Sequence, residues 1–189
     1  EKNHIIATLK HFAAHGQPES GMNCGPVNVS ERVLRDTFLT PFREVITKAN
    51  VLSVMPSYNE IDGIPSHANT WLLRDVLRNE WGFKGTAVSD YYAITELHVR
   101  PEATSHGVAH DKQDAARLAV EAGVNIELPD RDCYPSLVQL VRRGVLKESQ
   151  LDELVGPLLL QKFQLGLFDD PYVDPAAVPE QLQGAERKQ

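Results

Sequence analysis

Short apolar runs alternate with amphipathic helical stretches along most of this chain, and this alternation restricts the fold more than any other feature. The candidate strands are residues 5–9, 51–55, 85–89 and 124–128. The candidate helices are residues 31–49, 70–81, 114–122, 134–143 and 151–163. Strands that alternate with helices indicate an α/β fold with a parallel sheet and right-handed crossovers.

Residues at the helix ends support these boundaries. Ser30 and Asn69 are suited to capping the first two helices at their N-termini. Gly82 and Gly123 are suited to ending the second and third. Pro41 lies inside the first helix and predicts a kink there.

Two architectures accommodate four such strands: a small doubly wound sheet, or half of a (β/α)8 barrel, which normally needs about 250 residues. Polar clusters follow three successive candidate strands, namely Lys10-His11, Ser57-Tyr58-Asn59 and Ser89-Asp90. Both architectures place their sites at the carboxyl ends of strands, but three clusters in succession favour a barrel mouth. We therefore expect a partial (β/α)8 TIM-like barrel over residues 1–165. Residues 166–189 are predicted to be a linker or tail leading out of the barrel.

Charge and cysteine usage exclude some function classes. The net charge of −7 argues against a nucleic-acid partner, which requires an excess of Lys and Arg. No apolar run is long enough to span a bilayer, so no membrane partner is expected. Cys24 and Cys133 are far apart in sequence, and we expect two thiols rather than one disulfide. No leader follows Glu1, so either the protein is cytosolic or an export signal lies upstream; we expect the second, with a periplasmic or secreted location.

Asp90 is the strongest candidate for chemistry, because a buried carboxylate directly after an apolar strand is costly unless it has partners. The residues alone support an alternative equally well, in which Asp90 caps the next helix. Other chemistries fit less well. His11 and His15 have a spacing that could bind a metal, but the glutamate of the zinc-protease motif is absent, so no metal is expected. Ser57 and Ser89 lack the Gly-x-Ser-x-Gly elbow of acyl-transfer hydrolases.

Several segments match the motifs of one enzyme family, in that family's order. Residues 82–91 read GFKGTAVSDY and resemble the nucleophile segment of glycoside hydrolase family 3, where a strand after a Gly-Phe-x-Gly turn ends in Ser-Asp. Residues 9–12 (LKHF) and 55–65 (MPSYNEIDGIP) resemble two further segments of that family. Residues 30–42 and 165–172 also fit its pattern. Each match is weak alone, but together they cover nearly the whole chain.

The resemblance implies a retaining, exo-acting β-glycoside hydrolase of the β-glucosidase type that needs no cofactor. Asp90 would be the nucleophile that forms a covalent glycosyl-enzyme, which water then cleaves. The substrate would be an oligosaccharide or an aryl or alkyl β-glycoside with a terminal non-reducing sugar. A β-xylosidase of the same family is the alternative, since glucose and xylose differ by one hydroxymethyl group.

The resemblance also assigns the sugar-binding residues. Lys10 and His11 match positions that bind hydroxyls of the terminal sugar, although His11 alone would be read as a core histidine. Tyr58 matches a tyrosine near the nucleophile. Met55 and Tyr91 would line the sugar pocket, with ordinary core packing as the alternative for Met55. The family often has Trp at the position of Tyr91.

Two parts of the family's active site have no match in this sequence. The resemblance implies an aspartate and an arginine from barrel strands before Glu1, and a general acid/base from a domain after Gln189. Glu60, Asp62 and Glu96 are carboxylates nearby, but nothing in the resemblance supports them as the acid/base. We therefore expect the chain to need the other barrel half and a C-terminal domain. Two alternatives remain: a fragment that is active only with its complementary chain, or a carbohydrate-binding relic without turnover.

Overall fold

Seven strands form two sheets in the computed structural model, which describes residues 5–100 and 105–177. In chain order the strands are β1 (Thr8–Phe12), β2 (Pro26–Val27), β3 (Ser53–Pro56), β4 (Glu60–Ile61), β5 (Ile64–Pro65), β6 (Thr86–Tyr91) and β7 (Ile126–Leu128). The larger sheet has the order β1-β3-β6-β7, and every neighbouring pair in it is parallel. The predicted tail lies outside the described residues from residue 178 onward.

Five helices alternate with the strands of the larger sheet in the described part of the chain. Helix α1 runs from Glu31–Val33 through the π-helical segment Leu34–Leu39 into Thr40–Ala49. The others are α2 (Trp71–Glu80), which has π-helical hydrogen bonding, α3 (Lys112–Ala122), α4 (Leu137–Arg142) and α5 (Glu148–Gln164). Among the described residues, no helix has the length and apolarity needed to cross a bilayer.

The strand order identifies the architecture. In a doubly wound sheet the order reverses at one point, because later strands are added on both sides of the first strand. Here each later strand is added on the same side of the one before it, as in a barrel. The prediction of a partial (β/α)8 barrel is therefore confirmed. The four strands found among the described residues do not close on themselves.

Helix caps form where the sequence predicts them. The side chains of Ser30 and Asn69 accept hydrogen bonds from backbone N–H groups of the first helical turns, at 3.3 and 2.9 Å. Gly82 and Gly123 have φ angles of 70° and 102° and end α2 and α3. Helix α1 leaves regular α geometry just before Pro41, which cannot donate a backbone hydrogen bond.

Several predicted boundaries are wrong by two or three residues. Strand β1 covers residues 8–12 rather than 5–9, because pairing with β3 places Thr8 opposite Ser53 and leaves Ile5 exposed. Helix α5 begins three residues earlier than expected. The backbone N–H of Lys147 donates to the side chain of Gln150, and this contact fixes the earlier start.

The smaller sheet was not predicted. Strand β4 pairs in parallel with β2 and antiparallel with β5, and Asp62 and Gly63 form the tight turn between β4 and β5. Their φ angles of 49° and 75° are typical of a two-residue hairpin turn with two left-handed positions. The side chain of Asp62 is exposed in this turn.

The core lies between the larger sheet and its helices. Helix α2 contributes a face of fully buried aliphatic side chains: Leu72, Leu73, Val76 and Leu77. Helix α3 packs through small residues: Ala115, Ala116, Ala119 and Val120. These contacts fix the strands from one side and leave their carboxyl ends to present polar side chains. Cys24 and Cys133 are thiols rather than a disulfide, as predicted, and the structure shows that both are buried.

Candidate active site

The six residues assigned from the sequence lie on three adjacent strands or directly after them. Lys10 and His11 are in the last part of β1, Met55 is in β3, and Tyr58 follows β3 by two residues. Asp90 and Tyr91 are the last two residues of β6. Since β1, β3 and β6 are neighbours and parallel, their carboxyl ends lie at one edge of the sheet.

Asp90 is buried, and polar groups lie close to both of its carboxylate oxygens. Its Oδ1 accepts from the backbone N–H of Tyr91 at 2.8 Å and from the hydroxyl of Tyr58 at 3.1 Å. Its Oδ2 lies 3.4 Å from Nε2 of His11. The next helical turn begins only at Thr95 and makes no capping bond with Asp90, so the alternative of a helix cap is wrong. The carboxylate instead faces side chains of the two neighbouring strand ends.

Tyr58 is held as a protonated donor. Its hydroxyl lies 2.8 Å from the carbonyl oxygen of Tyr91 as well as 3.1 Å from Asp90, so one proton is shared between two acceptors. Burial, followed by the charge of Asp90, raises the pKa of Tyr58. A neutral phenol beside the carboxylate is therefore stable across the physiological pH range.

His11 is half-buried between the carboxylate and another imidazole. Burial, followed by the charge of Lys10, lowers the pKa of His11 despite the opposing effect of Asp90. Its ring packs edge-on against His15, with centroids 5.1 Å apart. His15 in turn bonds to Asn23 through Nε2 at 2.9 Å. No group of three metal-ligating side chains occurs in the part of the chain that the structure describes.

The other three residues differ in exposure. Lys10 is exposed and, with His11, Phe38 and Phe42, lines an open cavity of about 490 Å³. Met55 is buried, yet it is not part of the main cluster of core side chains. The side chain of Tyr91 is exposed beside Asp90.

Two carboxylates near the site already have hydrogen-bonding partners. Oε1 of Glu60 lies 2.9 Å from Nδ1 of His106, whose side chain is buried. Glu96 is buried, and its Oε1 receives the guanidinium of Arg100 at 3.0 Å. Both contacts hold loops that follow β3 and β6. Both carboxylates are thus engaged in structural contacts and are not free to protonate a leaving group.

One residue at the site was missed by sequence analysis. The backbone N–H of Asp90 donates to Nε2 of His67 at 3.1 Å, and His67 is fully buried beneath the strand ends. Burial lowers the pKa of His67 to about 3, so the ring is neutral at physiological pH. His67 lies in the turn Ser66–Ala68, and neither a periodic pattern nor a motif in the sequence singles it out.

Comparison with known proteins identifies the family. Residues 1–159 match the model of the glycosyl hydrolase family 3 N terminal domain. A putative beta-xylosidase from Formosa agariphila is 40% identical over 171 residues, which is 90% of this chain and 22% of that protein. A periplasmic beta-glucosidase from Salmonella typhimurium is 38% identical over 89% of this chain and 21% of its own length.

Solved structures give the same result. A β-glucosidase from Erythrobacter marinus matches all of this chain and 24% of its own, with a TM-score of 0.91 and 40% identity. A beta-glucosidase from Listeria innocua in complex with glucose matches 89% of this chain and 22% of its own, with a TM-score of 0.81 and 40% identity. The chain thus spans about a fifth of the length of the curated relatives that it matches. From this match, the motifs and the shared fold, the chain belongs to glycosyl hydrolase family 3.

Proposed function

We propose that this chain supplies the nucleophile and part of the sugar site of a retaining, exo-acting β-glycoside hydrolase. The observation that carries the proposal is the placement of the Asp90 carboxylate at the carboxyl end of β6, between His11 and Tyr58. Retaining glycosidases need an ionised carboxylate held in one orientation next to the anomeric carbon. Relatives named beta-glucosidase and beta-xylosidase support the same class of substrate.

In the proposed reaction, Asp90 attacks the anomeric carbon through Oδ2. The bond between that carbon and the leaving oxygen breaks, and a general acid from another part of the protein donates a proton to that oxygen. Water, deprotonated by the same group, then cleaves the glycosyl-aspartate ester. Donation from Tyr58 and the backbone of Tyr91 to Oδ1 fixes the carboxylate plane, so that Oδ2 is the attacking atom.

The sugar contacts follow from the same arrangement. Lys10 and His11 would donate hydrogen bonds to vicinal hydroxyls of the terminal sugar, and Met55 and Tyr91 would form walls of the pocket. Terminal β-linked glucose is the proposed substrate, and xylose is the second candidate because relatives carry both names. No cofactor takes part in this chemistry.

We further propose that residues 1–165 form part of the catalytic barrel and that residues 166–189 lead out of it. The chain corresponds to about a fifth of its relatives' length. The remaining barrel strands and a C-terminal domain would therefore have to supply further sugar contacts and the general acid/base. Under this proposal the segment alone is inactive and gains activity when those parts are present.

The test uses Asp90→Asn in a polypeptide that contains the missing strands, supplied by natural flanking sequence or by the Erythrobacter marinus β-glucosidase. The matched control is Asp75→Asn, since Asp75 is exposed on α2 and remote from the strand ends. Turnover of aryl β-glucosides and β-xylosides should fall at least about 1,000-fold in Asp90→Asn and remain unchanged in the control. Parent-like turnover in Asp90→Asn contradicts the proposal, and the preferred aryl glycoside distinguishes glucose from xylose.

A further inference from the structure

The backbone N–H of Asp90 lies where the sheet stops providing hydrogen-bond acceptors. Paired residues between β3 and β6 end at Val54 and Ala87, three residues before Asp90. On the other side, the register between β6 and β7 shifts between Val88 and Tyr91. Strands diverge in this way at the mouth of a barrel. A buried N–H there needs an acceptor from elsewhere, because an unpaired one is costly.

His67 supplies that acceptor. Its Nε2 lies 3.1 Å from the backbone nitrogen of Asp90, and its side chain is among the largest in the fully buried set. The backbone of Ser57 raises the pKa of His67 against the larger effect of burial. Because the N–H of Asp90 donates to Nε2, the neutral ring carries its proton on Nδ1.

Ser57 connects the end of β3 to the end of β1. Its backbone N–H donates to the carbonyl of Phe12 at 2.8 Å, and its hydroxyl donates to the carbonyl of Ala13 at 2.9 Å. The same hydroxyl lies 3.1 Å from that of Ser66, the residue before His67. Buried hydrogen bonds of Ser57 thus connect the ends of β1 and β3 to the turn that carries His67. The imidazole of His67 then connects this turn to β6.

We propose that His67 is a positioning residue for the nucleophile: the neutral imidazole fixes the backbone of Asp90 relative to the turn that carries Tyr58. This inference rests on the proposed role of Asp90. Without the imidazole, the N–H of Asp90 would turn toward another acceptor, and the carboxylate would move with it. Misplacing a reacting group by about 1 Å can cost about 100-fold in rate.

Three variants test the proposal in the same complete polypeptide. His67→Phe keeps a planar ring but removes both ring nitrogens. His67→Gln places an amide oxygen near the position of Nε2 and so retains an acceptor. The control is Asn125→Leu, because Oδ1 of Asn125 accepts from the backbone N–H of Ala87 at 2.7 Å, on the same strand and three residues before Asp90. Asn125 also contacts the guanidinium of Arg78 at 2.9 Å and the carbonyl of Leu154 at 2.7 Å, so this control loses more hydrogen bonds than His67→Phe, all of them away from the nucleophile.

The measurements are the rate of covalent trapping by a 2-fluoro glycoside with a good leaving group, the kcat and KM of an aryl glycoside, and the melting temperature. His67→Phe should slow trapping about 10- to 100-fold and lower kcat with KM nearly unchanged, while His67→Gln recovers most of both rates. Asn125→Leu should melt earlier but trap at the parent rate. Parent-like trapping in His67→Phe, or an equal loss in Asn125→Leu, overturns the proposal.

Two further experiments distinguish a failure of this inference from misfolding of the variant and from a failure of the proposed function. If His67→Phe does not fold, His67→Ala is assayed with and without added imidazole, which should restore the trapping rate by filling the space that the ring leaves. Absence of rescue overturns the positioning role. The parent serves as the reference for Asp90 itself. If the parent is trapped on another residue, the proposed function fails, whereas trapping on Asp90 with no effect at His67 refutes only this inference.

Discussion

Gly85 lies at a point where the chain leaves no room for a side chain, and Gly85→Ala should destabilise the fold strongly. A Cβ at Gly85 would lie 2.2 Å from the carbonyl oxygen of Leu52 and 2.5 Å from its carbonyl carbon. That oxygen accepts two hydrogen bonds, from the backbone N–H of Thr86 at 3.0 Å and from Nε2 of Gln161 at 2.7 Å. The added methyl group would therefore displace backbone that joins β6 to β3 and to α5.

The size of the effect follows from these contacts. The added Cβ and the carbonyl oxygen of Leu52 must separate by roughly 1 Å to reach ordinary van der Waals contact. Overpacking of this kind costs about 1–3 kcal/mol. Weakening two hydrogen bonds to one buried carbonyl adds about 1 kcal/mol for each bond. We expect a total loss of about 3–5 kcal/mol in the free energy of unfolding. For a domain of this size, that loss lowers the melting temperature by about 10–15 °C.

Urea unfolding followed by the fluorescence of Trp71 and Trp81 measures this loss. Gly156→Ala is the matched control, because Gly156 lies inside α5 and no atom is within 4 Å of an added Cβ. Alanine is favoured over glycine in a helix by about 1 kcal/mol, so the control should be slightly more stable than the parent. A free energy of unfolding for Gly85→Ala within about 0.5 kcal/mol of the parent would refute the reasoning.

Three other predictions concern the site and its surroundings. Tyr58→Phe removes a hydrogen-bond donor to the carboxylate of Asp90, and such a bond is worth about 1.5–3 kcal/mol. The kcat/KM of the complete enzyme should therefore fall about 10- to 100-fold. A decrease of less than twofold would contradict this role of Tyr58. The pKa of His67 is about 3 in the folded chain and 6.5 for an ordinary histidine. Between pH 3 and pH 6.5, only the unfolded chain therefore binds the second proton of this imidazole. The free energy of unfolding should decrease as the pH falls below 6.5. The loss at pH 5 should be about 2 kcal/mol and absent from His67→Gln, as measured by urea unfolding at both pH values; equal losses in parent and variant would be inconsistent with a neutral ring. Burial raises the pKa of Cys24 and Cys133 to about 12. Alkylation by iodoacetamide at pH 8, followed by mass spectrometry, should therefore be about 1,000-fold slower in the folded chain than in urea. Comparable rates in the two conditions would disprove the burial of these thiols.

The sequence was informative where local chemistry decides the structure. Helix-end signals act within one helical turn, so they can be recognised from the sequence without knowledge of tertiary contacts. Examples are the N-caps Ser30 and Asn69 and the terminating glycines Gly82 and Gly123. The alternation of strands and helices was sufficient for the parallel sheet. The motif around Asp90 placed a carboxylate at the end of β6, where the structure has it.

Features that depend on distant partners were less accessible. The apolar residues near Ile5 resemble a strand, but pairing of β1 with β3 sets the register three residues later. The hairpin around Asp62 and Gly63 had a visible Asp-Gly turn signal, yet its strands of two residues are too short to show alternation. His67 could not be found, because its importance comes from an N–H group 23 residues away in sequence. Only the divergence of the strands reveals that this group needs an acceptor.

The central claim is that Asp90 forms the covalent bond to the sugar, and trapping with 2-fluoro-glucosyl and 2-fluoro-xylosyl probes tests it most directly. Good leaving groups on these probes reduce the need for acid assistance, and the slow second step lets the intermediate accumulate. In the complete polypeptide, intact-mass spectrometry should show one added fluoroglycosyl group. Peptide mapping should assign it to Asp90, and Asp90→Asn should remain unlabelled. A label on another carboxylate, or no label on a polypeptide that hydrolyses the matching aryl glycoside, would contradict the account.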